Sequence, residues 1–333
     1  MMKYNNIPQI LIFLISGLSL HAQKPYQVSA DDLKGWISYL SSDEMRGRAN
    51  GSPEMKISAE WIAGKFREFG LKPALAEGDF IQNYTYLSRQ KTISERNIIG
   101  VIEGNDPKLK DQYIVLSAHF DHVGVRSGNS ADSIYNGADD NAAGTCTLLG
   151  IAKNIRESGI KPGRTIIFAA FSGEENGMRG SRYFVANSPV QVKNIYANLN
   201  FEMTGHSESY GKNNYYMTGC HLSNLDEIIS NIERNTNFQL IDTISMARSL
   251  FFASDNIAFS RISVSDGITT GIPSGTFATT TMAPHVHSPY DEAKLFDYDN
   301  MTNLVNHFTN LVITLSESNE EITWTDPKFT RIK

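Results

Sequence analysis

The stretch T-I-I-F-A-A-F-S-G-E-E-N-G, residues 165–177, joins an apolar run to a loop with two adjacent glutamates. A short run of almost entirely apolar residues is typical of a strand that is buried on both faces of a parallel sheet. In open α/β sheets, ligands bind at the loops that follow the carboxyl ends of such strands. The stretch therefore predicts a buried strand at 165–171 and a functional loop that contains Glu174 and Glu175.

Strands and helices are predicted to alternate along much of the chain. Apolar runs predict further strands at 97–102, 113–118 and 196–201. Helical periodicity predicts helices at 31–40, 54–70, 142–157, 180–187 and 298–316. Because this alternation is typical of crossover connections, we expect a three-layer α/β/α sandwich with a mixed, mainly parallel central sheet. The turn-rich region 203–285 is expected to form the rim or lid of a site.

The composition limits both the architecture and the partners. A chain of 333 residues with 41% hydrophobic content can bury one large core or two smaller ones. No repeat or Pro/Gly/Ser-rich linker interrupts residues 23–333, so we expect a single domain there. The net charge of −6 argues against a nucleic-acid partner. With only Cys146 and Cys220 available, the fold cannot depend on a disulfide framework.

The first 22 residues have the pattern of a secretory signal peptide. Lys3 precedes an apolar stretch at 10–20, and L-H-A-Q provides a small-residue cleavage site near Ala22. The apolar stretch is shorter than the roughly 20 residues that span a bilayer. We therefore expect an exported protein, periplasmic or extracellular, with no membrane insertion after cleavage. An uncleaved membrane anchor is the alternative.

Candidate metal ligands recur at the ends of apolar runs. They are His119, Asp140, Glu175, Glu202 and His287. One carboxylate flanked by two pairs of histidine and carboxylate suits two neighbouring zinc ions, because a bridging carboxylate offsets the repulsion between the cations. The pattern predicts a hydrolytic metal centre.

Several neighbouring residues compete for these roles. Asp139 adjoins Asp140, and either carboxylate could cap the following helix. His122 is an alternative ligand to His119, and His285 is an alternative to His287. In the H-x-D pattern, Asp121 is expected to accept a hydrogen bond from a metal-bound imidazole.

The adjacent residues Glu174 and Glu175 can have two different functions. Their side chains diverge, so one can bind metal while the other acts as a general base. A pair of exposed charges is the simpler alternative. The preceding buried strand and the flanking glycines favour function.

The motifs around these residues resemble those of the co-catalytic di-zinc aminopeptidases, typified by bacterial leucyl and Streptomyces-type aminopeptidases. Glutamate carboxypeptidase and the transferrin receptor are relatives of that family. The resemblance covers nearly the whole chain after residue 23. It rests on S-A-H-F-D-H-V-G (117–124), G-A-D-D-N-A-A-G (137–144), F-S-G-E-E-N-G-M-R-G-S (171–181), S-D-N-I-A-F (254–259) and H-S-P-Y-D (287–291).

The resemblance implies a role for each candidate. His119, Asp140 and Glu202 would bind one zinc ion. Asp140, Glu175 and His287 would bind the other, so that Asp140 is the bridge. The resemblance also implies that Glu174 is the general base, that Asp121 orients His119, and that the bond from Asp140 to Asn141 is cis.

The implied activity is removal of N-terminal residues from peptides, by a hydroxide that two zinc ions activate. A carboxypeptidase or dipeptidase of the same fold is the nearest alternative. A glutaminyl cyclase and a non-enzymatic binding module are less favoured, because every position of the two-metal pattern is filled. Glu202 stands where many members have Asp, and Val286 stands where some have Tyr. Tyr290 or the metal itself would then contact the oxyanion.

Overall fold

The computed structural model describes residues 27–75, 78–127, 132–243, 246–261, 271–281 and 285–326. Its helices are α1 (Ala30–Leu40), α2 (Pro53–Glu68), α3 (Gly144–Ser158), α4 (Arg179–Ala186), α5 (Leu225–Glu233), α6 (Ala247–Leu250), α7 (Asn256–Ser260) and α8 (Tyr298–Glu317). Its strands are β1 (Lys72–Pro73), β2 (Ile81–Ser88), β3 (Lys91–Ile102), β4 (Tyr113–His119), β5 (Gly124–Val125), β6 (Ile134–Tyr135), β7 (Thr165–Phe171), β8 (Ile195–Phe201), β9 (Asn214–Met217), β10 (Gln239–Ile241) and β11 (Ser274–Ala278). The predicted signal peptide lies outside the described residues. Within them, no helix is both long and apolar enough to cross a membrane.

One mixed sheet organises the molecule. Its strand order is β1-β3-β7-β4-β8-β11-β9-β10, and β2 pairs with β3. The central strands β7, β4, β8 and β11 run parallel to one another. Strand β3 is antiparallel to β7, and β9 is antiparallel to β11. This arrangement confirms the prediction of a mixed, mainly parallel sheet.

Helices cover both faces of this sheet. Successive side chains of each central strand point to opposite faces, so the apolar strands have apolar side chains to bury on both. On β4, Ile114 and Leu116 belong to the larger core with residues of α1, α2, α3, α5 and α8. Val115 belongs to a second core, with Phe184 of α4 and Phe259 of α7. Two apolar cores on either side of the sheet are the three-layer sandwich that the sequence predicts.

Two parts of the sheet are absent from the sequence-based prediction. The hairpin β2–β3 alternates exposed and buried residues and was predicted only from residue 97 onward. The region 203–285, expected to form a rim or lid, contributes β9, β10 and β11 to the main sheet. Strand β11 contains small and polar residues, and the hydroxyls of Ser274 and Thr276 are buried in hydrogen bonds with Asn256. Hydrophobic periodicity does not detect a strand of this kind.

Arg48 connects the amino-terminal part of the chain to the loops at the carboxyl edge of the sheet. The side chain is completely buried. Its guanidinium donates hydrogen bonds of 2.5–2.8 Å to four backbone carbonyls, those of Leu40, Phe120, Asn136 and Gly137. Burial lowers the pKa of Arg48 to about 10, so the group stays charged at neutral pH. Arg48 thereby fixes the loops on either side of the candidate site.

Replacing Arg48 with methionine is expected to lower the free energy of unfolding by roughly 3–5 kcal/mol, because buried carbonyls lose their donors. Chemical denaturation of the metal-free protein would measure this loss. The matched control is Arg46→Met. Both positions have a positive φ, but the Arg46 side chain is 58% exposed and is 3.8 Å from Glu54. A change of at most about 0.5 kcal/mol is expected there. Equal losses in the two variants would contradict the proposed anchoring role.

Candidate metal centre

The predicted ligands converge at the carboxyl edge of the sheet. His119 is the last residue of β4, and Glu202 directly follows β8. Glu175 lies in the loop after β7, and Asp140 lies in the short π-helical segment Ala138–Ala143 that precedes α3. His287 comes from the segment after β11. The topology therefore brings together loops that are far apart in sequence, as expected for a parallel sheet.

The carboxylate of Asp140 stands between two groups of possible metal donors. Its Oδ1 is 3.4 Å from Nε2 of His119, and that nitrogen is 2.9 Å from Oε1 of Glu202. Its Oδ2 is 3.1 Å from Nε2 of His287, which is 2.8 Å from Oε1 of Glu175. The two oxygens of one side chain therefore face different groups, as a bridging ligand requires.

These distances fit zinc coordination. Two donors that lie 2.0–2.1 Å from a tetrahedral zinc ion are about 3.3 Å from each other. The four spacings around Asp140 cover 2.8–3.4 Å. Imidazole and carboxylate donors are the types that zinc takes in hydrolytic sites. The longer side chain of Glu202, unusual at its position in the family it resembles, still reaches the first group.

Of the three competing residues, the structure places only His122 within a group of possible metal donors. His122 belongs to the second group together with Asp140, Glu175 and His287. The ring of His285 instead lies 6.4 Å from that of His206, outside both groups. Asp139 also lies outside both groups, and its Oδ1 accepts a hydrogen bond from the backbone N–H of Gly205.

Residues 97–312 match the family model described as Peptidase family M28. This chain belongs to peptidase family M28. The matched segment contains all five predicted ligands and both glutamates of the β7 loop. Membership of M28 confirms the resemblance inferred from the motifs.

Curated relatives of this chain include proteins of two named activities. Leucine aminopeptidase 1 of Trichophyton equinum is 25% identical over 301 residues, which cover 82% of this chain and 73% of that protein. A probable glutamate carboxypeptidase, VP8, of Zea mays is 35% identical over 144 residues, or 42% of this chain. The match spans only 18% of the length of the maize protein.

Solved structures share the fold of this chain. The zinc aminopeptidase BSAP from Bacillus subtilis aligns with a TM-score of 0.65 and 17% identity, over 88% of this chain and 96% of that one. A glutaminyl cyclase from Porphyromonas gingivalis aligns with a TM-score of 0.61 and 19% identity, over 86% of this chain and 98% of that one. At such identities, the likeness shows the common α/β fold.

Asp121 approaches the His119 ring more closely through its backbone carbonyl than through its carboxylate. Its carboxylate is 3.7 Å from Nδ1 of His119, whereas its backbone carbonyl is 3.2 Å from that nitrogen. The carboxylate instead accepts hydrogen bonds from the backbone N–H groups of Glu174 and Glu175 and from the side chain of Asn50. Asp121 therefore fixes the glutamate turn with its carboxylate and faces the His119 ring with its carbonyl.

The two glutamates of this turn have pKa values shifted in opposite directions. Burial raises the pKa of Glu174 well above its ordinary value, and Glu202 and Asp255 add to the rise, although His119 opposes it. Burial also acts on Glu175, but its contacts with His122 and His287 lower its pKa. The two neighbouring carboxyls therefore lie in different electrostatic environments.

Asp291 holds the loop that carries the proposed bridge. Its two carboxylate oxygens accept hydrogen bonds of 2.8 and 3.0 Å from the backbone N–H groups of Asp139 and Asp140. The peptide bond from Asp140 to Asn141 is cis, as the resemblance implies. Asp291 is the last residue of the motif H-S-P-Y-D, and the motif alone gives it no role. No local pattern shows that two backbone amides, some 150 residues away in sequence, depend on this side chain.

Glu95 of β3 is a buried carboxyl that gives the protein a testable pH dependence. Burial raises its pKa from 4.5 to about 7, although the N–H of Gly51 donates a hydrogen bond to it. A carboxyl with a raised pKa in the folded state binds protons more tightly there, so stability falls as the pH rises from 4.5 to 7.

The variant Glu95→Gln removes this pH dependence, because the amide keeps an acceptor for Gly51 and cannot ionise. Between pH 5 and pH 8, the stability of the variant relative to wild type should increase by about 2 kcal/mol. Denaturant unfolding of the metal-free proteins at both pH values measures it. Glu103→Gln, at a side chain that is 61% exposed, is the control. A constant difference between wild type and Glu95→Gln would refute the argument.

Proposed function

We propose that this M28 peptidase is an exported aminopeptidase with two zinc ions, and that it hydrolyses N-terminal residues from peptides. The observation that carries the proposal is the position of Asp140, whose two oxygens face separate groups of donors. His119 and Glu202 complete one group, and Glu175 and His287 complete the other.

The residues around these groups suit peptide hydrolysis. Zinc ions held there would supply Lewis acidity, which polarises a carbonyl and makes a water molecule more acidic. Glu174 takes the proton of the attacking water and delivers it to the leaving amine. Asp121 holds the Glu174 backbone in place during this transfer through the hydrogen bond that it accepts.

Cleavage from the amino end is supported by a named relative. The relative named leucine aminopeptidase 1, which this chain matches over 82% of its length, supports this choice.

Three substrates distinguish the candidate activities. Leucine p-nitroanilide should be hydrolysed, and its N-acetylated form should be inert. A peptide with N-terminal glutamine should be trimmed rather than cyclised. A chelator should abolish the activity, and zinc should restore it. Release of C-terminal residues from N-blocked peptides would instead establish a carboxypeptidase, and formation of pyroglutamate with one zinc ion per chain would establish a glutaminyl cyclase.

Export follows from the amino-terminal sequence alone. The mature protein is expected to begin at Gln23 when it is produced in a bacterial host with its first 22 residues. Mass spectrometry of the protein recovered outside the cytoplasm measures the mature terminus. Retention of the complete sequence in a membrane fraction would show an uncleaved anchor.

A further inference from the structure

We propose that His122 is a fourth protein ligand of the metal ion held by Asp140, Glu175 and His287. The proposal rests on the two-metal function proposed above and makes its two sites unequal. His119, Asp140 and Glu202 provide three protein ligands for one ion, whereas the second group provides four.

The imidazole of His122 is held at this position by its surroundings. Its side chain is completely buried, and its backbone N–H donates a hydrogen bond to the carbonyl of Arg48. Gly137 provides the space for the ring, since a Cβ atom at that glycine would lie 2.4 Å from Cγ of His122. The same glycine has a φ of 59°, which a larger residue rarely adopts. The ring therefore has little freedom to move away from the metal groups.

Both ring nitrogens of His122 lack a hydrogen-bond partner among the residues that the structure describes. A buried polar atom without a partner costs about 1–3 kcal/mol, so such atoms are rare unless something else satisfies them. Nδ1 nevertheless lies 3.1 Å from Oε1 of Glu175 and 3.7 Å from Oδ2 of Asp140. A cation between a nitrogen lone pair and two carboxylates accounts for this approach.

The spacing of these atoms is that of ligands sharing one ion. Donors of a tetrahedral zinc ion are about 3.3 Å apart, and the His122 contacts of 3.1 and 3.7 Å lie on either side of that value. The rings of His122 and His287 meet edge to face with their centroids 5.4 Å apart. The two imidazoles therefore approach the same carboxylates from different directions.

His122 and His287 differ in how far their side chains are buried. The side chain of His287 is 45% exposed, and its backbone has a φ of 53°. His122 is buried and lies three residues after the end of β4. We infer that His122 retains the second ion even when His287 is removed. An ion held by the three ligands around His119 would have fewer protein ligands and so more of its coordination sphere available to substrate.

The test is titration of the metal-free protein with zinc against a chromophoric chelator, which gives two dissociation constants. His122→Phe keeps a buried ring and removes both donors. It should weaken one site at least ten-fold and leave the other unchanged, because even the loss of an outer partner costs 10–100-fold in metal affinity. His287→Ala should still bind two ions, and the double variant should bind one. His206→Phe changes a histidine outside both groups and should retain both wild-type constants.

Wild-type affinities at both sites in His122→Phe would overturn the proposal. If that variant fails to fold, as judged by circular dichroism of the metal-free protein, zinc-loaded wild type labelled with 15N-histidine decides instead. Three zinc-bound imidazoles support the proposal, and two overturn it. The wild-type protein could bind two ions through three histidines and yet cleave no aminoacyl substrate. That result would contradict the proposed function and leave the assignment of His122 as a ligand unchanged.

Discussion

Replacing Glu174 with glutamine is expected to lower kcat on leucine p-nitroanilide by roughly 10³-fold, within the range that a general base contributes. The amide has nearly the same shape as the carboxylate but cannot accept the proton of the attacking water. Because Glu174 belongs to neither group of metal donors, the variant should bind zinc as wild type does. Steady-state kinetics together with metal analysis of the same sample measure both quantities.

Two control variants sharpen this result. Glu175→Gln changes the adjacent side chain, which is 2.8 Å from Nε2 of His287, and should lose affinity for the second ion. Glu208→Gln changes a glutamate that is 69% exposed beside His206 and should be as active as wild type. Wild-type turnover by Glu174→Gln would show that another group carries the proton. Loss of metal in that variant would show that the roles of the two glutamates are reversed.

The fold could be predicted from sequence where burial is continuous. The apolar run of β7 was assigned to its observed limits, Thr165–Phe171, because every side chain of that strand is buried. The hairpin β2–β3 was missed in part, since its outer residues are exposed and its pattern resembles that of a loop. Strand β11 was missed because its hydroxyls are satisfied by hydrogen bonds that sequence does not show. Local patterns therefore identify apolar strands and overlook polar ones.

The candidate site was predictable for residues that end a strand or begin a helix. His119 and Glu202 belong to this class, and the structure brings them within 2.9 Å of each other. The sequence favours His119 over His122, because a residue's place in the sequence does not show which way its ring is oriented. The sequence predicts that Asp121 accepts a hydrogen bond from His119, but it does not show that the backbone carbonyl is the atom nearest the ring. Such contacts depend on loop geometry, and loop geometry depends on buried anchors like Arg48.

Replacing Asp140 with asparagine is expected to have the largest effect on the whole centre. Its two oxygens face different donor groups, and an amide presents only one oxygen with no negative charge. In either orientation of the amide, one of the two donor groups faces an NH2 in place of an oxygen. The negative charge that offsets the repulsion between two cations is also lost. We expect fewer than two zinc ions per chain. Since metal ions supply several kcal/mol of transition-state stabilisation, kcat/KM should fall by about 10³-fold or more.

The adjacent residue provides the matched control. Asp139 is fully buried, and its Oδ1 accepts a hydrogen bond of 2.9 Å from Gly205. Asparagine at that position can make the same bond, so Asp139→Asn should keep both zinc ions and most of the activity. Titration with zinc and kinetics on leucine p-nitroanilide compare the two variants directly. Equal losses would mean that the pair acts through the shape of the loop. A loss confined to Asp140→Asn would mean that one carboxylate links the two ions, as its position between His119 and His287 requires.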